Sequence, residues 1–222
     1  MDYAQLKAEV RELIDLVNND PENNTKPTGW RIMYSPVMLR PKVLLMGINP
    51  GAGMEKAEID YPNHQLEYLD NLEKNYQLAG QTVHLFDRIG KIEVLKNETA
   101  KTNCHYFVSK GMADFKEKFK AINVTVKKQH SGLRDYLSLS HLWNRAMIFD
   151  IIDPNIVICE GKAAYEYVLA IMPETNKPVL EKQWDGFCGL HKAGNKFILG
   201  YARRYSTIKN INRVSELLDS IL

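Results

Sequence analysis

The sequence predicts an α/β fold, a parallel sheet with helices on both faces. Three observations predict it. Short uninterrupted apolar runs stand at Val43-Leu44-Leu45-Met46, Ile156-Val157-Ile158-Cys159 and Phe197-Ile198-Leu199. Each is too short for a helix and is bounded by turn residues, the pattern of a strand buried on both faces. Segments with apolar residues at helical spacing lie between them, and strands alternating with helices imply a parallel sheet.

The elements follow in order. Leu6, Val10, Leu13, Ile14 and Val17 repeat with helical spacing, so residues 3–18 form an amphipathic helix, stopped by Asn18-Asn19-Asp20-Pro21. Residues 21–41 hold four more prolines and glycines and read as an irregular crossing that Trp30 and Tyr34 pin to the body. The first core strand ends abruptly at Gly47, with Pro50 and Gly51 close behind. Leu66, Leu69 and Leu72 suggest a helix; Val83, Leu85, Phe86 and Ile89 suggest another, closed by Gly90. Residues 99–108 read as a second strand, and Met112, Phe115 and Phe119 as the start of a helix. Leu139, Trp143, Ala146, Met147 and Asp150 lie along a strong helix ended by Asp153-Pro154. The strand at 156–159 passes through Gly161 into a helix carrying Ala164 and Val168. Residues 173–196 hold short strand pieces around Phe187 and Leu190. After the last strand, 197–200, residues 201–207 form a loop, and a final helix carries Ile208, Ile211, Leu217, Leu218 and Ile221.

Composition sets broad bounds. The 222 residues fit a single domain with a sizeable core, residues 1–40 forming its N-terminal helix and crossing segment. Lys plus Arg number 29 against 27 Asp plus Glu, a net charge of +2 that does not by itself argue for nucleic acid. Lys127-Lys128-Gln129-His130 is a short basic run that reads as a solvated loop or a nucleic-acid contact. Cys104, Cys159 and Cys188 are too widely spaced for a disulfide framework or a metal pair and read as buried thiols. The N-terminus lacks a signal pattern, and no apolar run nears the ~18 residues of a membrane span, so a cytoplasmic protein away from membranes is expected.

Chemistry is sought first where the chain leaves a buried strand, because open α/β sheets bind ligands beyond the carboxyl ends of their strands. Asn49 stands there, in a turn that also reads as plain punctuation. Gly47-Ile48-Asn49-Pro50-Gly51 resembles the first signature of the uracil-DNA glycosylase superfamily, nearest the mismatch-specific uracil/thymine and single-strand-selective branches. Thr102-Asn103 resembles the strand that supplies its base-reading asparagine, and the stretch from Asp153 to Ala164 resembles its third strand and following helix. The resemblance covers roughly residues 40–215 in order and spacing.

The resemblance implies a three-layer α/β/α sandwich around a short, mostly parallel sheet. It implies a DNA glycosylase that hydrolyses the N-glycosidic bond of uracil or a related deaminated or damaged base, with no cofactor and no metal. The partner is single- or double-stranded DNA with the base flipped out. Asn49 positions the attacking water. Ile48 and Asn103 contact the base, and Tyr61 stacks on it unless it is a loop tyrosine packed on the core. Three dispersed cysteines do not make the four ligands of the superfamily's iron–sulfur branches.

The second signature departs from the family. Where a His-Pro-Ser or Asn-Pro-Ser loop is expected, this chain has Arg203-Arg204-Tyr205-Ser206. Aligning Ser206 with the signature serine puts Arg204 at the catalytic position. A permanent cation there suits an anionic leaving group, a phosphate or a carboxylate. Ile208 falls where the family inserts a wedge into the duplex, and also reads as the first core residue of the last helix. Arg203, Arg204, Lys209 and Arg213 cluster around a helix start capped by Ser206 or Thr207, which reads either as a solvated basic helix face or as a phosphate site, with Arg203, Lys209 and Ser206 expected to meet DNA phosphate. A nucleic-acid- or nucleotide-binding protein on the same fold, without glycosylase activity, is the alternative; a hydrolase for free nucleosides is a third.

Overall fold

The computed structural model describes residues 1–23, 29–48, 66–70, 77–129, 135–173, 179–183, 186–204 and 207–222. The residues cluster into two compact units. Of the described residues, one unit comprises those within Met1–Ile32 and Asn103–Ile151; the other comprises those within Met33–Ile48, Tyr61–Thr102 and Ile152–Leu222.

The second unit holds the sheet. Its strands are β1 (Val43–Gly47), β2 (Thr99–Asn103, whose last residue passes into the first unit), β3 (Ile156–Cys159), β4 (Val179–Gln183), β5 (Gly186–Ala193) and β6 (Lys196–Tyr201), in the order β2-β1-β3-β6-β5-β4. β1, β3 and β6 run parallel, with Val43 opposite Ile156 and Ile156 opposite Phe197. Successive side chains point to opposite faces. Val43, Leu45, Ile156, Ile158, Leu199 and Tyr201 share one buried face with helices α3 (Gln77–Arg88), α4 (Ile92–Asn97) and α8 (Ile211–Asp219). On the other face α7 (Lys162–Ile171) lays Tyr165 over Gly200. The unit is therefore a three-layer α/β/α sandwich.

The sheet departs from strict alternation at one edge. β4, β5 and β6 follow one another without a helix and pair antiparallel. The cause is local: Ala193 pairs with Lys196 around Gly194, whose φ of +62° supplies the left-handed conformation that a two-residue hairpin requires. The strand pieces expected around Phe187 and Leu190 are one strand.

Other boundaries shift. α2 spans only Glu67–Asp70, and Leu72 lies outside the described residues. The final helix begins at Ile211, not after Ser206 or Thr207. The preceding residues instead form a ribbon, β7 (Arg203–Arg204) against β8 (Thr207–Ile208). Asn210, the N-cap of α8, is left-handed at φ +52° and makes no side-chain cap bond. Ile208 is buried in the sheet-face core, so it is neither a wedge nor a residue of α8.

The first unit is helical: α1 (Tyr3–Asn19), α5 (Met112–Gln129) and α6 (Tyr136–Ala146), the last continuing into a π-helical turn, Met147–Ile151. α1 opens on a capping box in which Asp2 and Gln5 bond each other's backbone N–H, and it buries the five apolar residues of its stripe. The expected strand over 99–108 stops at Asn103; beyond it the chain is held by a bridge between Phe107 and Trp30 and by Arg31 N–H donating to the Tyr106 carbonyl at 2.8 Å. The basic run is tied down in part: Lys128 pairs with Glu22 at 2.8 Å and Asp20 at 3.5 Å, while His130 lies outside the described residues.

His105 makes this unit sensitive to acid. It is buried among Phe107, Phe115, Phe119 and Tyr136, with ring centroids 5.3–5.9 Å away. Burial, helped by nearby His141, lowers its pKa to about 4. The unfolded chain therefore takes up a proton that the folded chain refuses between pH 6.5 and about 4. Stability is full above pH 6.5 and falls as the pH drops through that window, by about 3 kcal/mol in all. Urea midpoints for wild type and His105→Gln at pH 7 and pH 5 are expected to show the loss on acidification reduced in the variant.

Candidate functional site at the carboxyl edge of the sheet

The strand order fixes where a ligand crevice opens. From β1 the chain moves to β2 on one side, and β3 lies on the other side of β1. The connections reverse direction between β1 and β3, and such a switch point opens a crevice at the strands' carboxyl ends. Two segments frame it. Gly47 ends β1 and is followed by half-buried Ile48. Glu160 and Gly161 follow β3, and the Glu160 N–H donates to the Met46 carbonyl at 2.8 Å.

Glu160 is 2 % exposed. The Tyr68 hydroxyl, brought by α2, straddles both carboxylate oxygens at 2.8 and 2.7 Å. Thr82 on α3 approaches one of them at 3.4 Å. Gly161 then turns the chain into α7 with φ +123°, a conformation that side-chain-bearing residues avoid.

Two cations serve this edge. Lys101 on β2 is buried with its Nζ 4.3 Å from the ring centroids of both Tyr34 and Tyr68, and 3.7 Å from a Glu67 oxygen. Arg203, from the ribbon after β6, brings its Nε to 3.6 Å from the position a Cβ on Gly161 would occupy. Tyr201, at the end of β6, is buried, and its hydroxyl makes no hydrogen bond among the described residues. Burial and then the Glu160 charge hold the Tyr201 pKa well above the usual phenol range, with Arg203 opposing them. This is a dry, charge-balanced cluster, able to keep a carboxylate out of bulk water while retaining part of its capacity to accept hydrogen bonds.

The residues expected from sequence divide as follows. Ile48 stands at the crevice. Asn103 is buried and is the last residue of β2, the strand beside β1. Arg203 stands beside Gly161, the residue that turns the chain from β3 into α7. Lys209 closes the ribbon, its N–H donating to the Ala202 carbonyl at 2.9 Å, and it stands just before Asn210, the N-cap of α8. The anion site expected at a helix capped by Ser206 or Thr207 has lost its helix, and Arg213 pairs with Glu216 at 2.9 Å. Arg204 is described in backbone only, pairing with Thr207; Asn49, Tyr61 and Ser206 lie outside the described residues. Among the described residues no group of three His, Cys, Asp or Glu side chains is arranged to hold a metal, and no helix is long and apolar enough to cross a membrane.

Sequence reasoning missed Glu160, Tyr68, Thr82 and Lys101. One signal was available: a carboxylate standing directly between a fully apolar run and a glycine.

No protein-family model matches the chain, and no curated protein matches it either.

Proposed function

We propose that this chain is a DNA base-excision glycosylase that hydrolyses the N-glycosidic bond of uracil or a related deaminated base. One observation carries the reading. The first signature-like stretch begins on β1 and leaves the sheet at the β1/β3 switch point, the place where an α/β sheet of this order binds its ligand. Asn103 at the end of neighbouring β2 and Arg203 beside Gly161 add an amide and a cation along the sheet. In this reading Asn49 orients the attacking water, Ile48, Tyr61 and Asn103 bind the flipped base, and Arg203, Arg204, Ser206 and Lys209 serve the leaving base and the phosphates.

The test is base release from oligonucleotides carrying uracil, single-stranded or opposite guanine or adenine, followed by alkaline cleavage of abasic sites. Wild type is expected to cleave, and Asn49→Ala to cleave at least about 100-fold more slowly with its melting temperature unchanged. No cleavage on any substrate, or undiminished cleavage by the variant, overturns the reading. Salt-sensitive binding that depends on Arg203 and Arg204, without base release, identifies a nucleic-acid-binding protein instead.

A further inference from the structure

We propose that Glu160 is the general base of the site, resting on the glycosylase reading above. Hydrolysis of the N-glycosidic bond forms a bond from a water oxygen to C1′. It breaks the C1′–N bond, whose electron pair leaves with the base, and it releases a water proton that needs an acceptor. None of the residues singled out from sequence takes that proton near neutral pH. Asn49 and Asn103 are amides, Arg203 and Arg204 are permanent cations, and Ser206 and Tyr61 are alcohols. Glu160 is a carboxylate at the switch point, its backbone bonded to Met46 one residue before the end of β1. A carboxylate offers about four acceptor positions. The single Tyr68 proton and the long contact from Thr82 do not fill them. The water proton passes to a Glu160 oxygen, to be lost when the products leave, and the base leaves as an anion.

Phenolic and charged groups surround this carboxylate. Tyr68 donates to it from α2. Lys101, paired with Glu67 and lying over the Tyr68 ring, draws electron density from that ring and strengthens its hydroxyl as a donor. Tyr201 on β6 presents a buried phenol, and Arg203 a positive charge.

The experiment is single-turnover uracil release from pH 5 to 9 by wild type and Glu160→Gln, with melting temperatures recorded alongside. The wild-type rate is expected to fall on the acid side, as catalysis by a general base requires. Glu160→Gln keeps the side chain's shape and removes its charge. It should release uracil about 100-fold more slowly, lack the acid limb and melt no lower than wild type. A Glu160→Gln protein with the wild-type rate, or with the acid limb intact, overturns this inference and leaves the glycosylase reading standing. A wild type inactive on every oligonucleotide overturns the glycosylase reading and this inference with it.

Discussion

Gly200→Ala is expected to destabilise the protein by about 3 kcal/mol, seen as a lower urea midpoint at unchanged slope. Gly200 sits in β6, between parallel β3 and antiparallel β5. A Cβ built there falls onto the Tyr165 ring and comes within 2.7 Å of the Tyr165 Cβ. Tyr165 is buried on α7, whose backbone cannot retreat without opening the helix-to-sheet contact that forms one of the three layers. Interiors at crystal-like density absorb such an overlap only by moving a whole element. Gly80 is the control. It lies within α3 with nothing within 4 Å of a Cβ built on it, so Gly80→Ala should stabilise by about 0.5–1 kcal/mol through helix propensity. Equal effects at the two positions would show that the Tyr165 contact is not what holds α7 to the sheet.

Asn144→Leu is expected to cost the first unit about 3 kcal/mol or more. The Asn144 amide is wholly buried on α6 and makes three bonds at once. Its Nδ2 donates to the Cys104 carbonyl at 2.8 Å and to the Ser140 carbonyl at 3.0 Å, and its Oδ1 accepts from the Tyr106 hydroxyl at 3.2 Å. Leucine is similar in size and makes none of them, and buried groups stripped of a partner cost about 1–3 kcal/mol each. The bonds to Cys104 and Tyr106 hold the chain directly after Asn103, where no strand ladder does. Hydrogen exchange at residues 104–107 should therefore speed up more than exchange in α1. Uniform loss of protection across the unit would mean that Asn144 supports α6 alone. Because Asn103 is proposed to read the base, the same variant should also blunt uracil release, and measuring both in one preparation separates global from local damage.

Much of the fold was legible because burial on both faces leaves an unmistakable apolar run. Val43–Met46, Ile156–Cys159 and Phe197–Leu199 each mark a strand, and the stripe from Leu6 to Val17 marks α1. The antiparallel edge was not legible: two strands joined by Gly194-Asn195 look in composition like a loop with strand fragments. The ribbon before α8 was missed for a related reason. Arg203-Arg204 and Thr207-Ile208 are two-residue strands, too short to show any period, and Asn210 turns the chain before the helical stripe begins. At the site, Ile48 and Asn103 were named through the resemblance of Gly47–Gly51 and Thr102-Asn103 to family signatures, and both stand at the ends of strands. Glu160 is defined by a contact with Tyr68, ninety-two residues away, and Lys101 by rings on two other segments. Lys101 within Thr-Ala-Lys-Thr-Asn reads as the wet face of a strand, yet every residue of β2 is buried.

The antiparallel edge also sets an order of assembly. Ala193 meets Lys196 across a two-residue turn, so β5 and β6 find each other on the microsecond scale of hairpin closure. β1 must wait for β3, because Val43 pairs with Ile156 only after most of the chain between them has been gathered in. The local hairpin is expected to form first, and the long-range pairing of β1 with β3 later. The crevice between β1 and β3 is thus among the last features to close, and the slow phase of refolding should coincide with burial of Glu160.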